Sequence, residues 1–143
     1  MADASTGLSL QVSGVLVNAM GFVAVGMGAA LGAWMRWGLS AALNHLFVNL
    51  PLGTFAANMI GGYLIGVAVE IAVHHSVLTP ELRLFVVTGF LGGLTTFSTF
   101  SAEAVGLLIR QQYGWGLTLV VAHVLGSLVM TIFGMMTVRA LSA

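Results

Sequence analysis

The sequence predicts an all-α integral membrane protein with four transmembrane helices and a broken third helix. Three observations carry this expectation. Of the 143 residues, 59% are hydrophobic and only 6% charged, against about 25% charged in a soluble domain, so the chain has too little polar surface to face water. Four separate apolar segments each approach the roughly 20 residues that a spanning helix needs. The third carries the decapeptide Gly92-Gly93-Leu94-Thr95-Thr96-Phe97-Ser98-Thr99-Phe100-Ser101, whose paired glycines and threonines are poor helix material. Unwound backbone at membrane depth is tolerated only where protein buries it or where it lines a wet cavity.

Residues 1–18 form the N-terminal tail. Up to Val12 they carry one acid, Asp3, and no basic residue, so the positive region of a secretory signal is missing. Residues 19–143 make one four-helix domain. The first span covers Met20 to Leu43 and holds Gly28-x-x-x-Gly32. The second, Phe55 to Val73, follows the Pro51 turn and holds Gly62-x-x-x-Gly66. Such small-residue pairs let helix backbones approach closely, within a chain or between subunits. The third span starts near Leu82, past Pro80, and ends near Ile109; the fourth covers Gly116 to Leu141. Polar loops near Asn44–Gly53, His74–Glu81 and Gln111–Tyr113 separate them.

Cytoplasmic loops normally hold the excess of Lys and Arg. Here Arg83 and Arg139 fall on one side and Arg36 and Arg110 on the other. This tie admits two readings. Folding resolves a weak bias, or the chain inserts both ways round and pairs as an antiparallel, dual-topology homodimer. Four helices rarely enclose a conduit, so oligomerisation is the more direct route to one.

The polar residues within the spans each have a structural and a functional reading. Asn58 is interhelical glue or a donor aimed at a passing anion. Phe97 and Phe100, spaced i, i+3, are packing residues or present positive ring edges to an anion. Thr95, Thr96, Ser98, Thr99 and Ser101 bond their own i−4 carbonyls or offer hydroxyls around those rings. Carbonyls freed near Gly92 and Thr95 would suit a hard cation. His123, Ser127 and Thr131 step by four along one face of the fourth span, as a helix seam or a polar track. Glu103 and Arg36 are the charges nearest the membrane interior. No nucleophile elbow, phosphate loop or helical two-His metal spacing is present, so no enzyme is expected. His74-His75 reads as a solvated loop pair. The low charge argues against nucleic acid as a partner.

Together these features resemble the CrcB/Fluc family of small bacterial fluoride channels. Three motifs carry the resemblance: Gly26-x-Gly28-Ala29-x-x-Gly32-Ala33-x-x-Arg36; Gly53-Thr54-x-x-x-Asn58-x-x-Gly61-x-x-x-x-Gly66; and Gly89-x-x-Gly92-Gly93-x-Thr95-Thr96-Phe97-Ser98-Thr99-Phe100-Ser101. The resemblance implies an antiparallel homodimer in the bacterial cytoplasmic (inner) membrane, with two narrow pores exporting fluoride passively. It implies a structural sodium ion at the dimer centre, held by the backbone carbonyls of Gly92 and Thr95. The pore residues it implies are Asn58, Phe97 and Phe100, with Thr96, Ser98, Ser101, Glu103 and Ser127 around them and Arg36 as a structural residue. Trp37 stands where the family usually has tyrosine. Two alternatives are a dual-topology small multidrug exporter, which needs a carboxylate in the first helix where this chain has Arg36, and a non-transporting subunit of a larger membrane complex.

Overall fold

The computed structural model describes residues 19–47, 49–74 and 79–142; the expected tail over residues 1–18 and the centre of the His74–Glu81 loop lie outside them. Helix α1 is Ala19–Leu43, continued by a 3-10 turn over Asn44–Leu46, and α2 is Leu52–His74. Asn44 joins the two: its Oδ1 accepts from the Gly53 N–H at 2.7 Å and from the Thr54 N–H at 3.4 Å. The side chain thus caps donors that a helix start leaves unsatisfied, and α2 begins three residues earlier than the sequence suggests.

The third span opens on Thr79, whose hydroxyl accepts from the Leu82 N–H at 3.2 Å, with Pro80 at the first helical position. Proline is suited to that position because its missing N–H would be unpaired there anyway. The chain then runs helically through Pro80–Arg83, a π-helical stretch Leu84–Leu91 and Gly92–Leu94, together termed α3. Thr95 and Thr96 are extended (φ/ψ −79°/153° and −148°/117°), and α4 resumes as Phe97–Ile109. The non-helical portion is therefore two residues, shorter than the decapeptide suggests. The hydroxyls explain the difference: Thr96 Oγ1 accepts from the Thr99 N–H at 3.1 Å, so Thr96 caps the new helix instead of unwinding it.

Helix α4 is closed by Gln111, two residues past its end, which has φ 59°. The Gln112 N–H donates to the Leu107 carbonyl and the Gln111 N–H to the Leu108 carbonyl, both at 2.9 Å. This is a Schellman closure with glutamine in the left-handed position usually given to glycine. Helix α5, Tyr113–Ser142, follows at once.

Four stretches are long and apolar enough to cross a membrane: Ala19–Leu46, Leu52–Val73, Pro80–Ile109 and Tyr113–Ser142. Helix α1 packs mainly on α3, α2 mainly on α5, and α4 on α5. Glycine seams set both main contacts. A Cβ on Gly28 would lie 2.8 Å from the Phe90 nitrogen, and one on Gly89 would lie 2.6 Å from the Val25 carbonyl. Across α2 and α5, a Cβ on Gly66 would strike the Thr131 carbonyl and one on Gly134 the Tyr63 carbonyl. Both small-residue pairs of the sequence are thus used within one chain. Two apolar clusters flank the lapse at Thr95 and Thr96. Ala57, Leu91 and Leu94 form one; Phe100, Ala104, Leu107 and Leu119 form the other.

Candidate functional site

The α3–α4 junction strips the Thr96 N–H of its helical acceptor while burying the residue to 8% exposure. Asn58 on α2 engages both backbone groups of Thr96. Its Oδ1 accepts from the Thr96 N–H at 2.8 Å, and its Nδ2 donates to the Thr96 carbonyl at 3.2 Å. The pairing imitates one rung of a β-ladder. It also fixes the amide orientation, since a backbone N–H needs an acceptor and a carbonyl a donor. The second Nδ2 hydrogen reaches His123 Nδ1 on α5 at 3.1 Å. An amide NH2 has no lone pair to offer, so Nδ1 is the acceptor and the imidazole carries its proton on Nε2. Both donor hydrogens of Asn58 are thereby engaged inside the chain, and the side chain ties α2, α4 and α5 together.

His123 is 4% exposed. Its ring stacks on Phe100 (centroids 4.9 Å, planes 29° apart) and meets Phe55 edge-on at 5.3 Å. Its Nε2 is buried with no hydrogen-bond partner among the described residues. Phe97 and Phe100 lie 5.5 Å apart with planes at 55°. They differ in setting: Phe100 is buried at 9% exposure, whereas Phe97 is 80% exposed. One turn from Asn58 on α2, the fully buried Thr54 donates from Oγ1 to Glu103 Oε1 at 2.7 Å. Glu103 Oε2 is buried and has no partner among the described residues. Thr54 and His123 thus organise the site beyond what their sequence positions suggest. The available signal was spacing alone: Thr54 lies four residues before Asn58, on the same face of α2.

The remaining hydroxyls bond locally. Thr95, Ser101, Ser127 and Thr131 each donate to their own i−4 carbonyl, those of Leu91, Phe97, His123 and Ser127, at 2.6–2.9 Å. Thr96 Oγ1 donates to Thr99 Oγ1 at 3.0 Å and lies 3.3 Å from Ser98 Oγ. Arg36 on α1 donates from Nε to the Gly93 carbonyl at 3.0 Å, covering an acceptor in the last turn before the lapse. Asn58, Thr95, Thr96, Phe97, Phe100, His123 and Ser127 line one open cavity of about 560 Å³. Glu103 and Arg36 are not among its walls.

A hard cation is held by oxygen ligands. Helical continuation would aim the Thr96 N–H at the Gly92 carbonyl, but Asn58 takes that N–H instead. The extended ψ of Thr95 turns its own carbonyl out of the helical direction, and a Cβ on Gly92 would meet nothing within 4 Å. The Gly92 carbonyl, relieved of the Thr96 N–H, and the Thr95 carbonyl are oxygen groups of the kind that would suit such an ion.

Fold and site define a small multi-pass membrane protein built around a buried amide–imidazole–aromatic cluster. Residues 23–135 match the family described as CrcB-like protein, camphor resistance (CrcB). The chain belongs to the CrcB/Fluc family. It is 63% identical over 119 residues to the fluoride-specific ion channel FluC of Nitrosospira multiformis, covering 83% of this chain and 93% of that protein. It is 57% identical over 123 residues to the protein of the same name from Cupriavidus pinatubonensis, covering 86% and 98%. For the one from Ralstonia pickettii the figures are 56% over 126 residues, 88% and 100%.

Proposed function

We propose that this chain is a fluoride-selective channel that lets the anion leave the cell passively across the bacterial cytoplasmic membrane. The observation that carries the reading is 63% identity, over nearly the whole of a relative, to a protein named as a fluoride-specific channel. The site chemistry supports it. Fluoride is small and strongly hydrated, so a pathway must repay its lost water with close donors and positive ring edges while binding weakly enough to release it. Phe97, Phe100, Thr96, Ser98, Ser101 and Ser127, with Asn58 holding the backbone and Glu103 one turn away, are assigned to that pathway.

The working unit of the proposal is an antiparallel, dual-topology homodimer with two pores. Three features favour it. The arginines are divided two and two between the ends of the spans. Phe97 is 80% exposed on a single chain. The cavity, open and about 560 Å³ in volume, is far too wide to strip water from a small anion without a second wall. On the two-fold axis of such a dimer identical groups meet. There the Gly92 and Thr95 carbonyls of both copies would hold a sodium ion, whose charge lowers the cost of bringing an anion nearby. The two extended residues are then a functional break within the bilayer. A multidrug exporter fits less well, because α1 offers Arg36 and no carboxylate.

The deciding experiment reconstitutes the purified full chain into liposomes and follows efflux with fluoride and chloride electrodes. Fluoride efflux well above protein-free vesicles, with chloride retained, is expected. No efflux above the vesicle background would favour a non-transporting subunit and end the proposal.

A further inference from the structure

Towards the N-terminal end of α3 two polar side chains have no hydrogen-bond partner among the described residues. Arg36 donates to the Gly93 carbonyl, Arg110 to the Gly106 carbonyl and Arg139 to Glu70, whereas the exposed Arg83 meets no acceptor. Thr88 is the second. Thr95, Thr118, Thr131 and Thr137 each donate to their own i−4 carbonyl. Thr88 lies in the π-helical stretch Leu84–Leu91, where backbone bonds run i→i+5, and its exposed hydroxyl takes no such partner. A hydroxyl within a span still has a hydrogen to place. Arg83 and Thr88 line one groove of about 530 Å³, with Pro80, Leu84 and Val87 as its apolar walls.

The order of these groups along α3 is the order of groups along a phospholipid. The third span, Pro80–Ile109, has 30 residues, which at about 1.5 Å each matches the roughly 40–45 Å of a bilayer with its headgroups. Arg83, in the first turn, therefore lies at the level of the lipid phosphates. Thr88 lies five residues further in, roughly 7 Å deeper, at the level of the ester carbonyls. Glu81 shares the first turn with Arg83, but residues two apart do not face each other on a helix. We propose that this groove binds an anionic glycerophospholipid, with its phosphate on Arg83, an ester carbonyl accepting from Thr88 and an acyl chain along Leu84 and Val87. Charge selects the headgroup. Phosphatidylglycerol sets a net negative charge against an unpaired cation, whereas phosphatidylcholine brings a cation of its own. Val87 also lines the cavity of Asn58 and Phe97, so the lipid borders that cavity. The site stands whether or not the chain conducts.

Native mass spectrometry tests the site by counting the lipids that the purified full chain retains in a neutral detergent. Phosphatidylglycerol and phosphatidylcholine of identical acyl chains are titrated in separately. Wild type should hold phosphatidylglycerol about fivefold more tightly, the worth of one basic residue facing anionic lipid. Arg83→Gln should erase that preference. Thr88→Val should weaken both lipids about threefold, because both carry the ester, and leave the preference intact. Arg110→Gln, at the opposite end of the third span, should change neither. Equal retention of the two lipids by wild type overturns the proposal and leaves an unselective lipid shell. A preference that survives Arg83→Gln, or that Arg110→Gln removes as well, also overturns it, as does Thr88→Val holding both lipids as wild type does. A dimer that excludes phosphatidylglycerol while the monomer keeps it would assign the groove to a second copy and end the proposal. The Thr88 variant decides alone if Arg83→Gln does not assemble. No flux is read, so failure here and failure of the channel reading are separate results.

Discussion

Replacing Asn58 by alanine removes three hydrogen bonds at once and leaves the N–H of Thr96, a residue 8% exposed, without its partner, while the Thr96 carbonyl keeps the first intrahelical bond of α4. Hydrogen bonds inside membrane bundles are worth about 0.6 kcal/mol each on average, so three set a floor near 2 kcal/mol. Leaving that buried N–H unsatisfied raises the loss by about 1–3 kcal/mol when nothing relaxes to meet it. The expected destabilisation is therefore about 2–5 kcal/mol, a large fraction of a stability that is usually only about 5–15 kcal/mol. Reversible unfolding in mixed micelles of rising SDS fraction, followed by fluorescence of Trp34, Trp37 and Trp115, reads this directly. Asn58→Asp is the informative companion. Its carboxylate still accepts from the Thr96 N–H but offers the Thr96 carbonyl no hydrogen, so it should be at least as unstable. A midpoint for Asn58→Ala within about 0.5 kcal/mol of wild type, the scatter of an ordinary surface change, would refute the clamp. Flux measured on the same samples should fall with it, because the lapse between α3 and α4 loses the side chain that anchors it to α2 and, through His123, to α5.

Other perturbations separate packing from conduction. Phe97→Ile and Phe100→Ile should both sharply cut fluoride efflux. Only Phe100→Ala should also lower the stability of the chain, by about 3 kcal/mol or more as for a core aromatic, since Phe97 is exposed; unchanged flux in both isoleucine variants would remove them from the pathway. Gly66→Ala should loosen the α2–α5 seam by about 1–3 kcal/mol through overpacking against the Thr131 carbonyl. Gly26→Ala, with nothing within 4 Å of its Cβ, should be neutral or stabilising by up to about 1 kcal/mol. Gln111→Gly should stabilise by about 1 kcal/mol in the same SDS titration, by removing a side chain from left-handed backbone.

The four spans are legible in the sequence because uninterrupted apolar length outweighs every local signal. Their ends are less so. Leu52, Pro80 and Tyr113 lie inside helices because Asn44, Thr79 and the Gln111 turn supply caps whose reach is not apparent from spacing. The reading of Asn58 stayed open between glue and donor for a deeper reason. Its partners are Thr96, 38 residues away, and His123, 65 residues away, and neither contact has a periodic signature. The backbone-bound hydroxyls of Thr95, Ser101, Ser127 and Thr131 follow a local i−4 rule and were foreseeable as one of two options. The Thr54–Glu103 bond joins a threonine that the sequence offers only as part of a motif to a flagged acid across two helices, where single-sequence reading has no purchase.

The carboxamide at position 58 has a consequence for what mutation can reach. It presents an acceptor and a donor side by side, at a fixed separation, to one peptide group, and spends its last hydrogen on a third helix. Aspartate brings two acceptors, serine and threonine fall short, and glutamine arrives one methylene too far. No single-step change at this codon preserves all three engagements, so tolerance for substitution at 58 should be close to nil even among residues of similar size and polarity.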